Sequence, residues 1–193
     1  MKAKVEFFYD YVSLYSYLAN SQLAKLDAEI VYRPMFLGAV MEATGNRPPA
    51  TVKAKGKYLF TDARRWADHY SIAYAMNPKF PQNTIKALRL ALVAQQQGVF
   101  ELLHQPLFDA MWAEQQDLSD ESVLAGIITD AGLSADEMLQ KIAADDIKDE
   151  LKANTAEAID RGAFGAPTFF VGGEMFFGND RLDFVAEAIG RLG

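Results

Sequence analysis

Strand-forming sequence occurs only near the two ends of this chain, and this division constrains its fold more than any other feature. Residues 5–9 and 30–34 are short runs dominated by apolar and aromatic side chains, and a helical pattern that begins at Ser13 lies between them. Residues 168–171 and 174–177 form a second pair of runs, separated by two glycines. The long middle of the chain has the periodicity of helices instead.

The first pair of runs has the order of a βαβ unit, because the helical pattern continues from Ser13 through Leu18, Leu23 and Leu26. Two strands joined in this way are expected to be parallel, with a right-handed crossover. The second pair is expected to form a tight antiparallel hairpin, since two glycines between strand-like runs are a strong signal for one. A last helix is predicted at 181–192.

Five helices are predicted in the middle of the chain, where apolar residues recur at helical spacing. Gly98 and Gly132 lie where helices are expected to end, and Ser119 and Ser134 precede acidic first turns, as N-cap residues do. The predicted helices are 59–70, 83–97, 100–112, 121–131 and 135–144.

The order of these elements places a helical insertion inside one α/β core. A chain of 193 residues with 50% hydrophobic content suits one domain that carries an insertion. Charged residues make up 23% of the chain, and the apolar runs are too short to span a bilayer, so neither disorder nor a membrane protein is predicted.

The charge of the chain argues against a nucleic-acid partner. The formal net charge is −7, whereas phosphate backbones are held chiefly by clustered lysine and arginine. One local group of basic residues either holds a small anionic ligand or is an ordinary solvated face. Its members are Lys53, Lys55, Lys57, Arg64 and Arg65.

The chain contains no cysteine, so any thiol chemistry must come from a ligand. Together with the absence of a visible export signal, this composition predicts a cytoplasmic protein. His69 and His104 are the only histidines, and their spacing is unlike that of metal ligands. No metal site is expected.

Residues 10–13 follow the first strand, at the edge of an α/β sheet where ligands usually bind. Ser13 has two interpretations there. Its side chain caps free backbone N–H groups of the helix, or it faces an anion together with those groups, which the helix dipole favours.

The pair Ala166-Pro167 directly precedes a predicted strand, in a turn after a helix. A cis peptide bond is often found before proline in such a turn, and we predict one here. In this architecture the turn would stand beside the first helix, and Ala166 could pair its N–H and C=O groups with an extended peptide ligand.

The segment 13–16 has the spacing of a Cys-x-x-Cys redox motif with serine in place of both cysteines, and with the helical insertion and Ala166-Pro167 it resembles the DsbA branch of thioredoxin-like proteins. Five segments resemble, more narrowly, the family of 2-hydroxychromene-2-carboxylate isomerases and kappa-class glutathione transferases. That family usually has proline where this chain has Leu14. The segments are Phe-Tyr-Asp-Tyr-Val-Ser at 8–13, Gly-Asn-Arg-Pro-Pro at 45–49, Arg-Trp-Ala at 65–67, Phe-Gly-Ala-Pro-Thr at 164–168 and Phe-Gly-Asn-Asp-Arg-Leu at 177–182.

The resemblance implies a DsbA-like fold, with residues 1–36 and 149–193 forming a thioredoxin-like domain and residues 37–148 an inserted helical domain. It also implies glutathione as cofactor. Ser13 would donate a hydrogen bond to the glutathione sulfur, and the helix N-terminus would help to lower the pKa of that thiol. Ala166, exposed by the bond to Pro167, would hold the cysteinyl backbone.

Four further residues receive ligand-binding roles from the resemblance. Asp180 would bind the γ-glutamyl ammonium, or else it is an ordinary helix cap. Arg181, at the start of the last helix, would receive the γ-glutamyl carboxylate. Asn46 and Lys55 would reach the glutathione from the inserted domain, Lys55 binding the glycyl carboxylate or an anionic substrate. Alternatively, Lys55 is a solvent-facing lysine.

The first function implied is a glutathione-dependent isomerase of the 2-hydroxychromene-2-carboxylate type, in which the thiolate adds reversibly to a small aromatic carboxylate or another electrophile. The second is a kappa-class transferase or peroxidase, which would consume glutathione. The third is a non-catalytic thioredoxin-like module that binds an extended peptide at 166–167. The resemblance also implies a homodimer.

Overall fold

The four predicted strands form one mixed sheet with the order β2-β1-β3-β4 in a computed structural model that describes residues 2–192. The strands are β1 Lys4–Tyr9, β2 Glu29–Pro34, β3 Thr168–Val171 and β4 Glu174–Phe177. β1 and β2 are parallel, as predicted, while β3 runs antiparallel to both β1 and β4. The two ends of the sequence therefore build a single sheet.

The helices separate into those that connect the strands and those that lie between β2 and β3. In the described part of the chain, α1 joins β1 to β2, α2 to α8 lie between β2 and β3, and α9 follows β4. Their bounds are α1 Leu14–Asn20, α2 Leu37–Thr44, α3 Lys53–Tyr70, α4 Ile85–Gln96, α5 Phe100–Trp112, α6 Glu121–Asp130, α7 Ala135–Lys141, α8 Asp145–Asp160 and α9 Leu182–Leu192.

The helical predictions are correct in position and wrong in some boundaries. The predicted α5 has the observed bounds, but α1 ends at Asn20, so Leu23 lies in a separate 3₁₀ helix and Leu26 follows that helix. α3 begins at Lys53, six residues before its predicted start at position 59. Its buried face is made largely of glycine and alanine, which give a weak hydrophobic period. Those buried residues are Gly56, Leu59, Ala63 and Ala67.

The predicted N-caps are correct at Ser134 and wrong at Ser119. The Ser134 side chain accepts a hydrogen bond from the Glu137 N–H at 3.4 Å. Helix α6 is capped instead by Asp120, whose carboxylate accepts from the Ser122 N–H at 2.9 Å. The Ser119 hydroxyl donates to Asp117. An acidic run with two adjacent capping residues is ambiguous by one position.

The hairpin between β3 and β4 turns at the two glycines that predicted it. Gly172 has a φ of 55° and Gly173 a φ of 94°. Positive φ at both central residues is the requirement of a two-residue turn whose twist matches the flanking strands, and a Cβ would strain both positions.

Both faces of the sheet are covered. One face places Phe7, Tyr9 and Phe169 in a buried cluster with α4 and α5, and this cluster joins residues from both predicted domains. The other face packs Phe8 and Phe170 against α2 and α8. The division at 148/149 falls inside α8 and stays a prediction.

Candidate active site

Ser13 lies at the carboxyl end of β1 and is the N-cap residue of α1. Its Oγ accepts a hydrogen bond from the Ser16 N–H at 3.2 Å and donates one to the Ala166 carbonyl oxygen at 2.9 Å. The side chain is buried, with 7% of the residue exposed. The hydroxyl therefore caps α1 and at the same time donates its proton to the turn that contains Ala166.

The turn that receives this proton has the predicted geometry, since the Ala166–Pro167 peptide bond is cis. Ala166 is almost fully buried, and the Pro167 carbonyl accepts a hydrogen bond from the Gly178 N–H at 3.0 Å. This bond ties the turn to the segment that leads into α9. Ser13, Ala166 and the segment that leads into α9 therefore lie close together.

Asn46 reaches the same turn from the segment between α2 and α3. Its Nδ2 donates to the Phe164 carbonyl oxygen at 2.8 Å, and its Oδ1 accepts from the Arg47 N–H at 2.8 Å. Lys55 is exposed on the first turn of α3. Asp62 lies seven residues after Lys55, about two turns along α3, so Lys55 and Asp62 are on the same face of this helix.

Asp180 and Arg181 form an ion pair with each other. They lie in a 3₁₀ helix, Asn179–Arg181, that precedes α9, and Arg181 Nη1 donates to Asp180 Oδ2 at 2.6 Å. The two side chains are 46% and 47% exposed. Asp180 is the second residue of this 3₁₀ helix, whose N-cap position is Gly178, so it does not take the N-cap position there.

A group of aromatic hydroxyls around Asp62 is absent from the sequence-based site. The Tyr15 hydroxyl donates to Asp62 Oδ2 at 3.1 Å, and the Tyr58 hydroxyl donates to Oδ1 at 3.3 Å. Burial, followed by the Asp62 carboxylate, raises the pKa of Tyr15, and Asp180 adds to this shift. Helix α1, which carries Tyr15, also contacts the 3₁₀ helix that carries Asp180. Positions 15 and 62 meet only in the folded chain, so no sequence spacing reveals the pair.

His104 is part of a buried hydrogen-bonded chain that supports the loop before Ser13. The Tyr11 hydroxyl lies 3.0 Å from His104 Nδ1, and Nε2 lies 2.9 Å from Asn20 Oδ1. Since the amide oxygen can only accept, Nε2 carries the proton and Tyr11 donates to Nδ1. Burial lowers the pKa of His104 to about 3. The ring is therefore neutral near pH 7.

Within residues 2–192, the structure offers no metal site and no membrane-spanning helix, and a groove between two helices lies away from the predicted site. No group of three or more His, Cys, Asp or Glu side chains in this range is arranged to hold a metal ion. No helix in it is long and apolar enough to cross a membrane. A groove of about 550 Å³ between α5 and α6 is lined by none of the predicted site residues.

A sheet of this topology, with helices between β2 and β3 and a helix N-terminus facing a cis-proline turn, defines a thioredoxin-like protein with a helical insertion. Residues 4–190 match the family described as the DSBA-like thioredoxin domain. The chain belongs to this family.

Two kinds of relative cover nearly its whole length. A 2-hydroxychromene-2-carboxylate isomerase from Sphingobium xenophagum is 31% identical, over 96% of this chain and 97% of the relative. Glutathione S-transferase kappa 1 from Caenorhabditis elegans is 30% identical, over 96% and 90%. A solved structure of a 2-hydroxychromene-2-carboxylate isomerase superposes with a TM-score of 0.89 at 30% identity, covering 98% of this chain and 95% of that one.

Proposed function

We propose that this protein is a glutathione-dependent isomerase of the 2-hydroxychromene-2-carboxylate type, in which Ser13 activates the glutathione thiol. The observation that carries the proposal is the Ser13 hydroxyl, which donates to Ala166 beside a cis-proline bond in a chain without cysteine. Its position is that of a thiol activator, and the thiol must come from a ligand. The names of the relatives support an isomerase of this type and the use of glutathione. The role of Ser13 is supported by its geometry.

The activation step follows from two interactions with the sulfur. The Ser13 hydroxyl donates a hydrogen bond to the thiolate, and the N-terminus of α1 contributes partial positive charge. An unperturbed thiol titrates near ~8.5, so lowering its pKa by about two units makes it mostly thiolate at neutral pH.

Binding the sulfur requires the Ser13 hydroxyl to exchange partners. The hydroxyl has one proton, and the Ala166 carbonyl accepts it at 2.9 Å. Once that proton turns to the sulfur, the Ala166 carbonyl can accept the N–H of the cysteinyl residue of glutathione. The exchange leaves each polar group satisfied both before and after binding.

The charged groups at the two ends of glutathione are complementary to charged side chains of this protein. The γ-glutamyl group carries an ammonium and a carboxylate, which complement the adjacent Asp180 and Arg181 side chains. Asn46, bonded to the turn at Phe164, binds the peptide backbone, and Lys55 binds the glycyl carboxylate or an anionic substrate.

In the reaction implied by the resemblance, the thiolate adds to an electrophilic carbon of a bicyclic carboxylate. A C–S bond forms, the ring opens and a single bond rotates. Expulsion of the thiolate then breaks the C–S bond and returns glutathione unchanged, so the tripeptide is a cofactor of this reaction.

The stoichiometry of glutathione tests the proposal. With 2-hydroxychromene-2-carboxylate in large excess over glutathione, conversion should continue well beyond one equivalent while the free thiol stays constant. S-Methylglutathione, which has no thiol, is the control and should support no reaction. An equal rate without glutathione would contradict the proposal.

A kappa-type transferase or peroxidase is the second candidate, favoured by the equally high identity to the kappa 1 transferase from C. elegans. In that case the same assay would stop after one equivalent of a halogenated aromatic per glutathione, with release of the halide, or after half an equivalent of a peroxide, because two glutathione molecules form one disulfide; free thiol is lost in both. A protein that binds peptide at Ala166-Pro167 without catalysis would show neither result. The cytoplasmic location and the homodimer stay predictions.

The proposed γ-glutamyl site makes a separate prediction. Asp180→Asn is expected to weaken glutathione binding about 5- to 150-fold, with little change in kcat, since one charge-assisted bond to an unreacting part of the ligand is lost. Calorimetry at low ionic strength measures the affinity. Asp183→Asn is the matched control, because Asp183 is an exposed carboxylate on the next helical turn. If Asp180→Asn and Asp183→Asn bind glutathione with equal affinity, Asp180 does not bind the γ-glutamyl group.

A further inference from the structure

Asp10 is a fully buried carboxylate that the mechanism above does not use, 0% of the residue being exposed. Its carboxylate accepts three hydrogen bonds, one from the turn that follows Asp10 and two from the starts of α2 and α4. The Val12 N–H donates to Oδ1 at 3.1 Å, the Leu37 N–H donates to Oδ2 at 2.9 Å, and the Thr84 hydroxyl donates to Oδ1 at 2.5 Å.

Two of these donors mark the N-terminal ends of helices from the inserted region. Leu37 is the first residue of α2, and Thr84 is the N-cap residue of α4. The N-cap residue of neither helix makes a side-chain cap. At α4 the Ile85 N–H donates to the Asn83 side chain instead, and the Thr84 hydroxyl is bonded to Asp10. The partially positive ends of two helices therefore face the carboxylate.

The third donor belongs to the turn that presents Ser13. The Asp10 carbonyl oxygen accepts from the Ser13 N–H at 2.9 Å, while its carboxylate accepts from the Val12 N–H. Between them, the Tyr11 carbonyl accepts from the Trp112 indole N–H at 2.8 Å. Asp10 thus bonds to two successive N–H groups of the turn and is itself held from outside.

The residue after Ser13 makes this support more important. Proline would fix its own φ and stiffen the start of α1, but Leu14 has no such restriction and is held by burial, with 3% exposed. Burial raises the pKa of Asp10 and its three hydrogen bonds oppose that shift. Burying a carboxylate that has no cationic partner among residues 2–192 costs free energy of folding. An ordinary turn does not require such a residue.

We propose that Asp10 is a positioning residue, whose carboxylate, held by the first residue of α2 and the N-cap residue of α4, fixes the turn that aims the Ser13 hydroxyl at the bound sulfur. The proposal deepens the proposed function and rests on it for the identity of that sulfur. The positioning itself is measurable without glutathione.

A Ser13→Cys variant provides the probe, because the chain has no other thiol. The thiol would occupy the N-cap position of α1, where its pKa depends on its alignment with the helix N-terminus. Thr84→Val then removes one hydrogen bond to Asp10 while keeping the shape, and Thr84→Ser keeps the hydroxyl. Ile128→Val, in the buried face of α6, is a control for general destabilisation.

We expect Thr84→Val to raise the pKa of the introduced thiol by roughly half a unit or more, and Thr84→Ser and Ile128→Val to leave it in place. With the natural serine at 13, Thr84→Val should lower kcat about 3- to 30-fold while KM for glutathione stays within about twofold, since misplacement of a reacting group is costly. Asp10→Asn, which turns an amide toward the Leu37 N–H, should also lower kcat. It removes a negative charge close to position 13, which by itself lowers the pKa of the thiol, so the pKa comparison uses the Thr84 variants.

The thiol pKa is read from ultraviolet absorbance, with circular dichroism to confirm folding. A shifted pKa in a protein that binds no glutathione would support the positioning role and reject the proposed function. An unshifted pKa in Thr84→Val, with stability lowered as in Ile128→Val, would show that Asp10 is only structural and overturn the inference.

Discussion

Replacing Ser13 by alanine is expected to lower kcat about 10- to 150-fold, because a hydrogen bond to a charged atom is worth roughly 1.5–3 kcal/mol. Glutathione should still bind within about tenfold, since most of its contacts lie elsewhere. The variant also loses the cap of α1, at a cost of about 1 kcal/mol in the free energy of unfolding. Folding must therefore be checked by denaturant titration.

Ser16 offers a matched control for this experiment. Its hydroxyl is buried and has no hydrogen-bond partner among the described residues. Ser16→Ala, three residues along the same helix, should leave both kcat and the pKa of the bound thiol unchanged. If the thiol bound to Ser13→Ala has the same pKa as in the parent protein, the activation role is wrong.

The second large effect is a loss of stability in acid that originates at His104. Burial lowers the pKa of His104 to about 3, against about 6.5 in the unfolded chain. The stabilisation is therefore complete above pH ~6.5 and is lost as the pH falls toward about 3, by roughly 1.4 kcal/mol per pH unit. Between about pH 7.5 and 5 this amounts to about 2 kcal/mol.

A comparison with His104→Gln isolates this contribution from the carboxylates. Asp10 has the opposite sign, because its raised pKa stabilises the fold below about pH 3.8 and that stabilisation is lost as the pH rises. His104→Gln should be less stable near pH 7.5 by about 1–3 kcal/mol, since it disturbs the bonds to Tyr11 and Asn20.

Between pH 7.5 and pH 5 the stability of the parent relative to the variant should fall by about 2 kcal/mol, measured by urea unfolding at both values. His69 is exposed, and the stability of the parent relative to His69→Gln should show no such fall. A constant difference between parent and His104→Gln at the two pH values would contradict the assignment.

The local chemistry of the sequence predicts the framework well. The two glycines at 172 and 173 specify the hairpin, and apolar runs specify the other strands. The cis bond at Ala166-Pro167 is confirmed. Each of these signals depends on neighbouring residues only. The boundaries that failed, at Ser119 and at the start of α3, are places where two capping residues compete or where small residues replace large ones on the buried face.

The interactions that the sequence did not predict join residues far apart in the chain. Asp10 meets Thr84, and Tyr15 meets Asp62, only once the helices have packed. In the linear sequence Asp10 is one acidic residue after a strand. The sequence also does not reveal the ion pair between Asp180 and Arg181, although the residues are adjacent, because the resemblance gives each of them a different charged group of the ligand.

A serine at the cap of α1 has a consequence for the durability of the protein. On the proposed function, the only sulfur that reacts is carried in by a ligand and leaves with it. An oxidant that destroys that sulfur damages one replaceable molecule, whereas a cysteine at the same place would be open to oxidation to the sulfinic and sulfonic acids, which stay with the chain. The rate would then follow the supply of reduced glutathione, and activity lost by oxidation of the bound tripeptide should return when fresh tripeptide is added.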